Sequence, residues 1–201
     1  MTVTGSKEWL EYVNVNIPYR LHAIEWGLHL MRSTSNWIEP KSITIVIDGK
    51  ECVKTDHRTL VNPAIELAII YSRSLLEFLG LKMRYRDRRL ICDFKRRIDD
   101  VCVENFSFNG RSLTRITCED AFGTYPGNYE DARTALLLVA EYADKAVAHL
   151  TSGPQDNDNT RELLILALDG VLALMHKFFY DRIEVQRPTS RIRVIRSTTT
   201  R

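Results

Sequence analysis

No familiar catalytic signature runs through this chain of 201 residues. It has no glycine-rich phosphate loop, no G-x-S-x-G elbow and no H-E-x-x-H pair. The common nucleotide hydrolases, α/β-hydrolases and zinc proteases are therefore set aside. Cysteine is scarce: Cys52, Cys92, Cys102 and Cys118 form no C-x-x-C pair and no zinc-like Cys/His spacing. Reduced thiols packing as small apolar groups are expected. No apolar run approaches the roughly 20 residues that span a bilayer. The richest stretches, 163–174 and 135–148, are interrupted by Asp169, Glu141 and Asp144. The first residues lack a basic region followed by an apolar stretch, so no secretory signal is read. A cytoplasmic protein without a membrane span is expected. Large net charge is missing too, at +2.

What is present fits one well-buried domain, since 201 residues are few for two. Charge is unevenly laid out. Lys82, Arg84, Arg86, Arg88, Arg89, Lys95, Arg96 and Arg97 form a basic stretch, relieved only by Asp87 and Asp93. An acidic middle, 99–169, follows. The end is basic again through Arg182, Arg187, Arg191, Arg193, Arg196 and Arg201. Arg outnumbers Lys, which suits bidentate pairing with carboxylate or phosphate.

Periodicity predicts a helix over 8–34, broken or bent at Pro18, with Leu21, Ile24, Leu28 and Met31 on its buried stripe. Ile43, Ile45 and Ile47 alternate before Asp48-Gly49, which predicts a hairpin of 43–47 against 50–53 or else a long edge loop. A second helix covers 59–81, with Pro63 in its first turn and Gly80 as its stop. The basic stretch reads as loop running into a short helix that continues over 98–103. Residues 105–123 read as irregular, and 125–128 as a turn. Long helices follow over 129–150 and from Thr160 to about 183–186, with a loop over 152–159 between them. The expected fold is thus all-α, a bundle of about four long helices with one small β-hairpin. The domain is 1–187, and 188–201 is a basic tail in which Ile192, Val194 and Ile195 suggest a short strand.

Three segments stand out together: 71–79 (YSRSLLEFL), 99–106 (DDVCVENF) and 145–151 (KAVAHLT). Their order and content resemble a group of uncharacterised bacterial helical proteins. These carry an Arg-x-Leu-hydrophobic-acidic-Phe helix, an Asp-Asp-Val segment leading to an aromatic, and an Asn-Lys-x-x-Ala-His-Leu helix. That group is similar to the nucleotide-binding helical bundles called HEPN. The resemblance spans about 60–151. It implies a helical bundle and, for some members, RNA cleavage in toxin–antitoxin or phage-defence systems. Its RNase members place Arg and His on one helix with a short, variable gap between them; here no basic residue stands at the required distance before His149 or His176. Position 144 is Asp where the group usually has Asn.

The polar residues of the three segments are Arg73, Glu77, Asp99, Asp100, Lys145 and His149. Arg73 and Glu77 share a helix face, as do Lys145 and His149. If their helices pack together, a buried cluster with Asp99 and Asp100 results. One reading is a binding site for phosphate, or acid–base chemistry with Arg73 and His149 as the catalytic candidates and His149 as the titrating group. The other is an ion-pair network fixing the loop after Arg97 to the bundle. Arg84, Arg86, Arg88, Arg89, Arg96 and Arg97 are candidate nucleic-acid contacts, with Tyr85 and Phe94 placed to stack on bases. The alternative is a solvated face paired with the acidic middle of the chain. His22, Glu25 and His29 fall on one helix face, but no second ligand cluster completes a metal site, so neither metal nor cofactor is expected. Trp9, Trp26 and Trp37 suit a core or a subunit interface. The expected role is a non-enzymatic binding or assembly protein of the bacterial cytoplasm, with a protein partner or a second copy. The alternative is a HEPN-like RNA-binding protein or metal-independent RNase.

Overall fold

Pro18 does not end the first helix. The computed structural model, which describes residues 7–147, 158–187 and 189, starts with a short helix α1 (Lys7–Glu11) running into a π-helical turn, Tyr12–Asn16. The Ile17 N–H donates to the Tyr12 carbonyl, five residues back. That extra residue accommodates the proline ring, and the chain continues as α2 (Ile17–Ser33).

The hairpin forms where expected and is longer: β1 (Ser42–Ile47) pairs antiparallel with β2 (Lys50–Asp56). Asp48 and Gly49 both take positive φ, 49° and 77°, the backbone of a type I′ turn. A bulge falls between Ile45 and Val46. Next comes α3 (Arg58–Leu79). Because it starts at Arg58, Pro63 lies inside the helix instead of in its first turn. Gly80, at φ 106°, closes it in the left-handed conformation.

The segment after Gly80 departs from expectation. The basic stretch is neither loop nor short helix: β3 (Lys82–Arg84) and β4 (Arg89–Ile91) make a second hairpin. Met83 pairs with Leu90 across it, and both are buried. Three-residue strands flanked by arginines carry too little alternation to be read. No helix continues over 98–103; only a 3₁₀ turn, Val103–Asn105, forms. Within 105–123, Asn109-Gly110 turns a third hairpin, β5 (Ser107–Phe108) with β6 (Arg111–Ser112). It is followed by α4 (Cys118–Thr124), which Thr117 and Asp120 cap reciprocally.

Asn128 caps α5 (Tyr129–Glu141), which passes into a π turn, Tyr142–Val147. The last helix, α6 (Asp158–Met175), ends in a π turn, His176–Tyr180, and a 3₁₀ turn, Asp181–Ile183. Helices α2 and α3 run antiparallel: Tyr19 meets Tyr71 near one end, and Gly27 sits against Ala64 and Ala68 further along. Helix α6 runs antiparallel to α2, with Arg161 donating to the Met31 carbonyl and Tyr180 to that of Val13.

Three rings at the centre, Phe78, Phe106 and Phe179, meet edge-to-face with centroids 5.2–5.6 Å apart. They tie α3, the 3₁₀ segment and the end of α6 into one core. Among the described residues the fold is mostly helical, with three two-stranded antiparallel sheets where one hairpin was expected; the strand suggested at 192–195 lies outside them. By length and composition the helical stretch Asn159–Ile183 could cross a membrane, although Asp169 interrupts it. Of its most apolar window, 61% is buried within the fold, which is the burial of a central core helix.

Candidate functional site

Arg73 and Glu77 share a face of α3, and the Arg73 Nε donates to Glu77 Oε1 at 3.3 Å. The same guanidinium pairs with Asp144, on the π turn after α5. Asp144 was not among the expected site residues. Its one signal was the substitution of Asp for the Asn of the resembling group. Lys145 lies on the same turn but its side chain is outside the described residues, as is all of His149. Leu76, Leu81, Met83, Leu90 and Ala140 crowd the Arg73–Asp144 pair, and the space left among these side chains is about 10 Å³. That is the volume one water needs.

Asp99 and Asp100 do not join Arg73 and Glu77. They line a different cleft, of about 270 Å³, against Tyr12, Ile17, Arg20, Ser74, Leu75 and Phe78. The two clefts take different faces of α3: Arg73, Leu76 and Glu77 on one side, Ser74, Leu75 and Phe78 on the other. Both aspartates are exposed. Asp100 Oδ2 accepts the Arg97 backbone N–H at 2.9 Å, which closes a local turn.

The arginines of the basic stretch are largely taken up within the chain. Arg84 grips Asp87 with two hydrogen bonds, 2.8 and 2.6 Å, and Arg89 adds an ion pair at 2.6 Å. The Arg84 guanidinium holds the Asp87 carboxyl down at about 2. Arg88 reaches Glu141 on α5 at 2.6 Å, and that glutamate is 8% exposed. Arg96 donates to Glu104 at 3.0 Å and to the Glu77 carbonyl. Arg86 and Arg97 have no ion pair among the described residues. Tyr85 stays 41% exposed.

Glu104 and Arg115 organise a cluster that sequence reasoning missed. Arg115 sits in the stretch read as irregular, where no periodicity points to it, and Glu104 lies in the segment 99–106 but was not among its expected site residues. Glu104 takes hydrogen bonds from Arg96 and Arg115 at once. Burial pushes its carboxyl up, but the Arg115 hydrogen bond, its backbone contacts and the two guanidinium charges outweigh this and leave it below its ordinary range. Arg96, Arg115 and Lys82 all stand over the Phe94 ring, at 5.1, 5.5 and 5.6 Å from its centroid. A ring covered by three cations is a poor platform for a base.

His22, Glu25 and His29 go separate ways. Glu25 pairs with Arg187, the His22 ring lies 3.3 Å from the Thr189 carbonyl, and His29 stacks on Trp26. Among the described residues no group of His, Cys, Asp and Glu is placed to hold a metal. No family model, curated protein or solved structure matches the chain.

Proposed function

We propose that this chain is a non-enzymatic binding or assembly protein, working in a bacterial cytoplasm. The observation that carries this reading is the internal pairing of its guanidinium groups. A phosphate-binding surface needs cations free to displace counterions, whereas Arg84, Arg88, Arg89, Arg96 and Arg115 already hold carboxylates of the same chain. The narrow space at Arg73 supports the same reading, since a substrate phosphate would first have to displace Asp144.

The competing class is an RNA-binding protein or RNase of HEPN type. A binding and cleavage assay with mixed single-stranded and structured RNA, at low and physiological salt, separates the two. The assembly reading expects no cleavage and no binding that weakens steeply with salt, with Arg73→Ala lowering thermal stability alone. Cleavage that is lost in a folded His149→Ala variant would overturn it.

A further inference from the structure

Among the described residues the hairpin of β1 and β2 is a two-stranded sheet, so there each strand has an edge without a partner strand. The two edges differ in chemistry. Strand β2 carries Lys50, Glu51, Lys54 and Asp56, the charges by which proteins keep an edge from pairing with other chains. Strand β1 reads Ser-Ile-Thr-Ile-Val-Ile, β-branched from its second residue onward and without a charge or proline. An unguarded edge of that composition is a template for another strand.

The hydrogen-bond phase says which groups face outward. The His57 N–H donates to the Lys41 carbonyl at 2.8 Å, and the turn Asp48-Gly49 joins Ile47 to its partner Lys50. Alternation along an antiparallel ladder then turns the backbone groups of Ile43, Ile45 and Ile47 toward β2. Those of Ser42, Thr44 and Val46 point to the open side. Three outward residues centred on Thr44 suit a two-fold axis: Thr44 opposite Thr44 of a second copy, and Ser42 opposite its Val46.

We infer that the β1 edge is a homodimer interface, in which β1 pairs antiparallel with β1 of a second copy to give a four-stranded sheet. Charge favours a second copy over a polyanion or an anionic membrane. The hairpin region has Lys41, Lys50 and Lys54 against Asp48, Glu51 and Asp56, with no surplus of either sign. In the paired sheet the β2 strands lie outermost. Their facing charges then stand about 14 Å apart, three strand spacings, beyond a screening length of about 8 Å. Val46 and Ile47, 54% and 57% exposed in the single chain, supply apolar surface at the seam. An antiparallel strand pair is self-complementary, so the contact closes at two copies. This gives the assembly role proposed above a surface, yet it stands on the strand chemistry by itself. RNA cleavage by a dimer would overturn the earlier reading and leave this one intact.

The test is sedimentation of the full chain across micromolar concentrations, with Thr44→Lys, Thr44→Glu and their equimolar mixture. Thr44 is exposed but stands opposite Lys54 across the hairpin, where Lys meets a like charge and Glu an opposite one, so circular dichroism first checks that both variants keep the fold. The wild type should dimerise. Each variant alone should dimerise at least about tenfold more weakly, because like charges meet at the axis, and the mixture should recover the dimer. In the wild type, amide exchange at Thr44 and Val46 should slow as concentration rises. A chain monomeric throughout, a dimer indifferent to both variants, or one that mixing does not restore would each overturn the proposal.

Discussion

The Tyr125 ring lies across Gly170, so close that a β-carbon on Gly170 would overlap it. Its hydroxyl donates to the Leu166 carbonyl, one turn earlier on α6, at 2.7 Å. Burial, reinforced by the charge of Asp169, holds the phenol well above its ordinary range, so it stays a donor. Gly170→Ala should therefore destabilise by about 2–3 kcal/mol through overpacking, although alanine is the better helix former. For a chain of this size that is a fall of roughly 5–10 °C in Tm, read by calorimetry. Tyr125→Phe in the same background should restore little, because removing the hydroxyl, which would also overlap the new carbon, leaves the two closer ring carbons in place.

Glu104 is the hinge of the Arg96–Arg115 cluster. Glu104→Gln should cost about 2–3 kcal/mol at neutral pH, less than a fully buried pair because the carboxylate is partly solvated. Its carboxyl is depressed from an ordinary value of 4.5. The stabilisation is thus complete above that value and is lost as pH falls through the lower folded value. Urea denaturation of wild type and Glu104→Gln should show a constant gap at pH 6–8 (working values, about neutral) that closes under acid. A gap that widens in acid would refute this assignment.

Arg88 is 72% exposed, but its partner Glu141 is not, at 8%. Arg88→Ala strips a buried carboxylate of one partner and should cost about 1–3 kcal/mol. Arg88→Ala combined with Glu141→Gln should recover part of that loss. A double-mutant cycle with no coupling would mean that the pair is ornamental to the fold.

The thiols should differ sharply in reactivity. Cys52 is exposed, whereas Cys102 is buried. Burial, with Cys92 and Glu119 nearby, pushes the Cys118 thiol up to about 11, so it is almost wholly protonated at pH 8 and a weak nucleophile. Titration with an aromatic disulfide at about pH 8 should show a fast phase that disappears in Cys52→Ser. A fast Cys118 would contradict the environment described.

The sequence by itself determined the long helices and the first hairpin, but not α4, nor the absence of a helix over 98–103. The stripe of Leu21, Ile24, Leu28 and Met31 is buried, and Asp48-Gly49 turns β1 into β2. Both are local signals: a 3.6-residue period needs only neighbours to declare itself, and a type I′ turn needs only two residues. Gly80 closed its helix for the same reason. Tertiary structure decided the rest. Met83 and Leu90 became a hairpin because each found the other across the strand pair, and three residues a side are too few to announce a period. Asp144, 71 positions after Arg73 if one counts along the chain, reaches it only because α3 and the turn after α5 pack together. The same packing put Asp99 and Asp100 on the other side of α3. Which carboxylate each guanidinium of the basic stretch meets was decided there too, since a guanidinium finds its partner through space and not along the sequence.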